Sequence, residues 1–104
     1  MGIMEKMRLD SKRSFVTGGA RGIGKAIATA LAEAGSDVAL LDVDIATAQQ
    51  TAAEIAQATG RVIRAYEVDV TQEAQVDAVV QQLIEDLGGL DCAFCNAGIC
   101  LNVP

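Results

Sequence analysis

From Arg13 onward, short apolar runs alternate with longer segments whose apolar residues recur at the helical period, and few folds accommodate that alternation. The runs are Ser14 to Thr17, Asp37 to Leu41, Arg61 to Val68 and Leu90 to Cys95, with starts about 25 residues apart. That spacing is one strand plus one crossover helix. In the first intervening segment Ile23, Ala26, Ile27, Ala30, Leu31 and Ala34 line one helical face, and Gly35 supplies the stop. In the second, Ala48, Ala52, Ile55, Ala56 and Thr59 repeat the period more weakly, between Asp44 as N-cap and Gly60 as stop. In the third, Val76, Val79, Val80, Leu83, Ile84 and Leu87 form a broad stripe, with Thr71 as cap and Gly88-Gly89 at the end.

The series predicts an α/β fold: a doubly wound parallel sheet, β-α-β-α-β-α-β, which right-handed crossovers would order 3-2-1-4. Composition agrees. Only 3% of residues are aromatic, while aliphatic residues dominate, as expected for parallel strands covered on both faces. The 104 residues suffice for one domain, and 51% of them are apolar. Residues 1–12 are polar and mixed and read as a flexible N-terminal arm; 13–104 read as the domain. The series stops at strand four, on whose outer side further strands pair in such a sheet, so the chain is expected to be the N-terminal portion of a larger domain.

Charge and cysteines narrow the function. A net charge of −6 opposes nucleic acid and anionic membrane surfaces, both of which require clustered Lys and Arg. No apolar run approaches the length of a membrane span and the opening MGIMEKMRLDSK has no signal-peptide core, so a cytoplasmic location is expected. Cys92, Cys95 and Cys100 crowd the C-terminal end. In a strand, positions three apart face opposite sides, which rules out a Cys92–Cys95 disulfide. With no histidine and no second C-x-x-C, a metal site lacks ligands, and the three read as buried structural thiols.

In open α/β sheets ligands bind beyond the carboxyl ends of the strands, and each of the four ends carries a signal. Strand one runs into Thr17-Gly18-Gly19-Ala20-Arg21-Gly22-Ile23-Gly24, a glycine turn opening directly onto a helix. Backbone N–H groups at such a helix start can face a pyrophosphate, helped by the helix dipole; glycines that serve packing alone are the plainer reading. Strand two ends at Asp42, 18 residues beyond Gly24, placed either to accept from ribose hydroxyls or to cap the turn ahead of helix two. Strand three ends in Val68-Asp69-Val70 and strand four in Asn96-Ala97-Gly98.

The spacing T-G-x-x-x-G-x-G, here Thr17, Gly18, Gly22 and Gly24, resembles the short-chain dehydrogenase/reductase family over essentially residues 8 to 104. The generic G-x-G-x-x-G would need glycine where Ile27 stands, and the extended relatives carry glycine where Arg21 stands. The resemblance implies a Rossmann-type fold and a dinucleotide bound by Gly18, Arg21, Gly22, Ile23, Gly24, Asp42, Asp69, Val70, Asn96, Ala97 and Gly98. Asp69 would accept from the adenine amine, and capping helix three stands as an equal alternative. Asn96 would brace the sheet and Gly98 leave room for cofactor. A carboxylate at Asp42 would repel the 2′-phosphate of NADP and favours NAD, although a basic residue such as Arg21 could hold a phosphate.

The family's reaction is hydride transfer between nicotinamide and an alcohol or carbonyl, with a Tyr as acid/base, a Lys four residues on and a Ser that orients substrate. Tyr66 is the only tyrosine, Val70 stands four residues later, and none of Ser11, Ser14 and Ser36 follows strand four. No catalytic residue is therefore assigned, and the chain alone is expected to be inactive. The alanine-rich helices and the N-A-G-I context are most similar to family members acting on sugars, polyols or small hydroxy compounds, and the resemblance implies a homo-oligomeric parent. A different class of function stays open: a non-enzymatic nucleotide-binding or interaction module pairing through the strand-four edge.

Overall fold

The computed structural model describes residues 12–95. Seven elements follow one another: β1 (Arg13–Thr17), α1 (Gly22–Glu33), β2 (Asp37–Asp42), α2 (Ile45–Thr59), β3 (Ile63–Glu67), α3 (Glu73–Leu87) and β4 (Cys92–Cys95). The strands form one parallel sheet in the order β3-β2-β1-β4, so the winding direction reverses between β1 and β4. This is the expected truncated Rossmann order. Register runs Phe15 beside Ala39 and Ala93, and Leu40 beside Ala65.

Successive side chains of a strand point to opposite faces, and both faces of β1 and β2 are covered. On one, Val16, Val38 and Leu40 meet Ala28, Leu31 and Ala32 of α1 and Ala52 and Ile55 of α2. On the other, Phe15, Ala39 and Leu41 meet Val76, Leu83 and Leu87 of α3. Hence the unbroken apolar run Val38–Leu41 in β2 and the buried Phe15 and Val16 of β1, whose flanking Ser14 and Thr17 are buried as well.

The helix ends follow local chemistry. Asp44 caps α2, its carboxylate accepting from Thr47 N at 3.1 Å, and Gly60 ends the helix in the left-handed conformation. After α1, Gly35 N donates to Ala32 O and Ser36 N to Leu31 O, both at 3.0 Å, the paired bonds of a Schellman stop. Gly88 closes α3, donating to Ile84 O at 2.9 Å. Thr71 is not the cap of α3; Gln72 holds that position without a side-chain bond, because Thr71 is drawn back onto Asp69.

Two further expectations are corrected. The buried face of α1 is Gly24, Ala28, Leu31 and Ala32, whereas Ile23, Ala26 and Ala30 are exposed. In a helix rich in alanine the periodicity leaves the facing angle loose, and the approach of Gly24 to the turn sets it. Cys92 and Cys95 are half-buried on opposite faces of β4, not buried, since neither face of this strand is fully covered by the described residues. Cys100 and the arm 1–11 lie outside the described residues.

The amino ends of the strands are closed off. Arg13 N donates to Asp91 Oδ2 at 2.9 Å and its Nε to Leu87 O at 3.2 Å, setting a cation on the carbonyl end of α3. Beside it, the buried Ser14 and Ser36 hydroxyls bond at 2.9 Å. On the α3 face Tyr66 donates to Asp86 Oδ2 at 2.6 Å, fastening α3 to the edge strand. Burial first, then this carboxylate, pushes the phenol well above its ordinary value of 10.0, while the same bond holds Asp86 below 3.8.

A phenol whose pKa is raised by folding stabilises the fold fully below its ordinary value, and that contribution is lost as pH climbs past about 10. Tyr66→Phe should therefore lower the urea midpoint at pH 7, with the gap to the unsubstituted chain narrowing above pH 10. A gap that stays constant from neutral to alkaline pH would show that the hydroxyl does not anchor α3.

Candidate functional site

The carboxyl ends of β1, β2 and β3 converge on a cleft of about 120 Å³ lined by Gly18, Leu41, Asp42, Val43, Val68, Asp69 and Val70. Its position follows from the sheet order, since the loops after neighbouring parallel strands emerge together on the same edge. Four of the residues singled out from sequence, Gly18, Asp42, Asp69 and Val70, share this one cleft. Arg21, Gly22 and Ile23 are exposed in the adjoining turn, and Ile23 is 70% accessible despite being apolar. Asn96, Ala97 and Gly98 lie outside the described residues.

The glycine turn is held by close packing. A Cβ on Gly24 would fall 1.9 Å from the carbonyl oxygen of Gly18, so only glycine lets the first turn of α1 lie against the end of β1. Gly22 has φ +62° with open space where a Cβ would go, so its requirement is conformational. Gly18 N donates to Leu41 O at 2.7 Å, tying the turn to β2. Ala20 is gripped at both ends: its N–H donates to Asp42 Oδ2 at 3.2 Å and its carbonyl accepts from the buried Thr51 hydroxyl at 2.6 Å. Arg21, at the N-cap of α1, places no side-chain acceptor on the helix. No side-chain cap therefore occupies the first N–H groups of α1, the groups with which a helix start can meet an anion.

Asp42 joins three pieces. One oxygen holds Ala20 and the other accepts from Asp44 N at 3.0 Å, so the carboxylate bridges the glycine turn and the start of α2. A carboxylate can accept about four hydrogen bonds, more than the two that these contacts use. Asp69 closes its own turn, Oδ1 accepting from Thr71 N at 3.0 Å and Thr71 Oγ1 at 2.6 Å, and it does not cap α3. Those bonds hold its carboxyl below the ordinary 3.8, so it is an anion on the cleft rim at neutral pH. Asp44 is likewise lowered, by the Thr47 hydroxyl, then the Thr47 N–H, with Arg21 adding to the effect.

The apolar walls at Val43, Val68 and Val70, between two carboxylates, suit a flat base with hydrogen-bond donors on its edge and an attached sugar. Among the described residues, the lining offers carboxylate acceptors and backbone donors, groups that hold a ligand through hydrogen bonds. Among the described residues no three His, Cys, Asp or Glu side chains converge as metal ligands, and no helix is long and apolar enough to cross a membrane. Sequence reading missed Val43, which is 62% exposed; the signal was an apolar residue between two aspartates and outside the α2 stripe. It also missed Thr51, because a threonine inside an apolar helical face gives no hint of a distant carbonyl.

Strand order, glycine turn and cleft together define a dinucleotide-type α/β domain. The family model for the short chain dehydrogenases matches residues 12–104, and the chain belongs to that family. It is 45% identical to the galactitol 2-dehydrogenase of Agrobacterium fabrum over 89% of this chain and 35% of that enzyme. Among solved structures, the NADPH-dependent 3-quinuclidinone reductase of Rhodotorula rubra superposes with a TM-score of 0.84 at 35% identity, covering 88% of this chain and 35% of that one. An NAD+-bound xylitol dehydrogenase superposes with a TM-score of 0.81 at 37% identity, covering 86% and 34%. The chain therefore spans about a third of the length of the relatives it matches.

Because the Gly24 contact involves backbone that cannot move aside, Gly24→Ala should destabilise the fold by about 3 kcal/mol. Gly22→Ala, strained only in φ, should cost about 1 kcal/mol. Urea unfolding of both variants with unchanged m values checks the order; a Gly24→Ala cost no larger than that of Gly22→Ala would show that the close approach does not constrain the turn.

Proposed function

We propose that this chain binds the adenosine and pyrophosphate part of a nicotinamide dinucleotide, as the first part of an oxidoreductase acting between an alcohol and a carbonyl. The supporting observation is the cleft itself: Asp42 and Asp69 flank apolar walls, next to a helix start that Gly24 brings against β1. In this reading the N–H groups of Gly22, Ile23 and Gly24 hold the pyrophosphate. Asp42 accepts from the ribose hydroxyls, Asp69 accepts from the adenine amine, and Val70 and Val43 cover the base. Gly18 keeps the turn thin, and of Asn96, Ala97 and Gly98, which the family resemblance adds to the cofactor site, Asn96 braces the sheet and Gly98 leaves room for cofactor.

When bound, the nicotinamide supplies or accepts the hydride; the residues of this chain position it. NAD is favoured over NADP, because a 2′-phosphate would meet the Asp42 carboxylate. A sugar, polyol or similar small hydroxy compound is the substrate class this reading favours, in line with the relatives' names. A homo-oligomeric whole protein in the cytoplasm completes the reading carried by family resemblance. The chain alone is proposed to bind without turnover, since its one tyrosine, Tyr66, is engaged with Asp86 in the middle of β3.

Isothermal titration of the 104-residue chain should give ADP and NAD affinities within a few-fold of each other. Asp42→Asn should weaken both by about tenfold, the scale of a hydrogen bond to a charged group. Equal binding by Asp42→Asn, or no binding of either nucleotide to the unsubstituted chain, would overturn the assignment. NADH formation from a polyol by this chain alone would overturn the view that it only binds.

A further inference from the structure

The glycine turn carries one cation, and the structure keeps it occupied. The Arg21 guanidinium is paired through Nη2 with Asp44 Oδ2 and lies 3.4 Å from Thr47 Oγ1. Thr47 in turn fixes that carboxylate, its hydroxyl donating to Asp44 Oδ2 at 2.7 Å and its N–H to Oδ1 at 3.1 Å. The next cation along α1, Lys25, is drawn to α2 as well, 3.1 Å from Glu54. Asp44 N is bonded to Asp42, so the residue that captures Arg21 is one link from the carboxylate at the cleft.

A 2′-phosphorylated adenosine needs a cation where a plain ribose needs an acceptor. Here the acceptor is present, and the single basic side chain of the turn is committed to a second carboxylate two residues beyond it. We propose that Asp44 is a specificity-determining positioning residue: by holding Arg21 against the start of α2, it turns the site against 2′-phosphorylated nucleotides. The inference rests on the binding reading above and extends it from Asp42, which would meet the sugar, to a residue that acts through Arg21.

Asp44 also caps α2, so the neutral replacement must keep the cap. Asp44→Asn and Asp44→Ser both do so, Asn, Ser and Asp being about equal in that role. The probes are AMP and adenosine 2′,5′-bisphosphate, which differ only in the 2′-phosphate. Titrated at low ionic strength, the ratio of their dissociation constants should shift toward the bisphosphate by about tenfold in each variant, as expected when a released guanidinium reaches a phosphate. Adding Arg21→Gln to Asp44→Asn should remove the shift. A lost cap alone would weaken both ligands together and leave the ratio in place.

A ratio within twofold of the unsubstituted chain in both neutral variants overturns the role of Asp44. A shift that survives Arg21→Gln also overturns it, because the carboxylate would then act by its own charge. Failure of AMP to bind the unsubstituted chain overturns the underlying binding reading instead, so the two failures are told apart by the first titration.

Discussion

The approach of Gly24 to the Gly18 carbonyl is the contact on which the upper edge of this molecule depends. It fixes the angle at which α1 leaves β1, and through that angle which side of an alanine-rich helix is buried. The buried set of Gly24, Ala28, Leu31 and Ala32 is one continuous stripe that begins at this contact. Ile23, one position earlier, is thereby turned out beside the cleft and not into the core. A single missing Cβ thus sets both a packing face and the exposure of the turn.

The contact would hold little without the bonds around Ala20. Asp42 accepts a hydrogen bond from its N–H and the Thr51 hydroxyl donates one to its carbonyl, so β2 and α2 together fix a loop with no regular structure of its own. Asp42 is consequently structural and available at the same time: it braces the turn with one face of the carboxylate and leaves acceptor sites on the other. Of the two readings open for this residue in the sequence, the structure shows the bracing of the turn, and a carboxylate has lone pairs enough for that bracing and for the ligand role proposed above.

What could be read in the sequence follows from how strongly each signal is constrained. The strand order, both ends of α2, the stop of α3 and the place of Asp42 were legible, because alternation of period and glycine stops leave few alternatives. The facing of α1 was not, since alanine fits on either side and the deciding contact involves an atom that glycine does not have. Thr71 looked like a cap by position, but Asp69 two residues earlier competes for its hydroxyl and N–H. The half-buried state of Cys92 and Cys95 was misread for another reason: burial of β4 depends on what covers it, which its own six-letter run does not encode. The role of Arg13 on the α3 carbonyl end was invisible because it joins residues 74 positions apart.

The two ends of the sheet are built differently. At the amino end, polar groups are matched internally: Arg13 with Leu87 and Asp91, Ser14 with Ser36. At the carboxyl end, bonds are made with groups to spare, in a helix start lacking a side-chain cap and in a carboxylate with free lone pairs. Ile23 and Val43 stand exposed there, 70% and 62% accessible, more than Val62 ahead of β3 at the amino end. Leaving those groups to water is unfavourable for the chain by itself, and it makes physical sense where a ligand with both a charged and an apolar part completes the surface. A nucleotide, the ligand proposed above, has both parts.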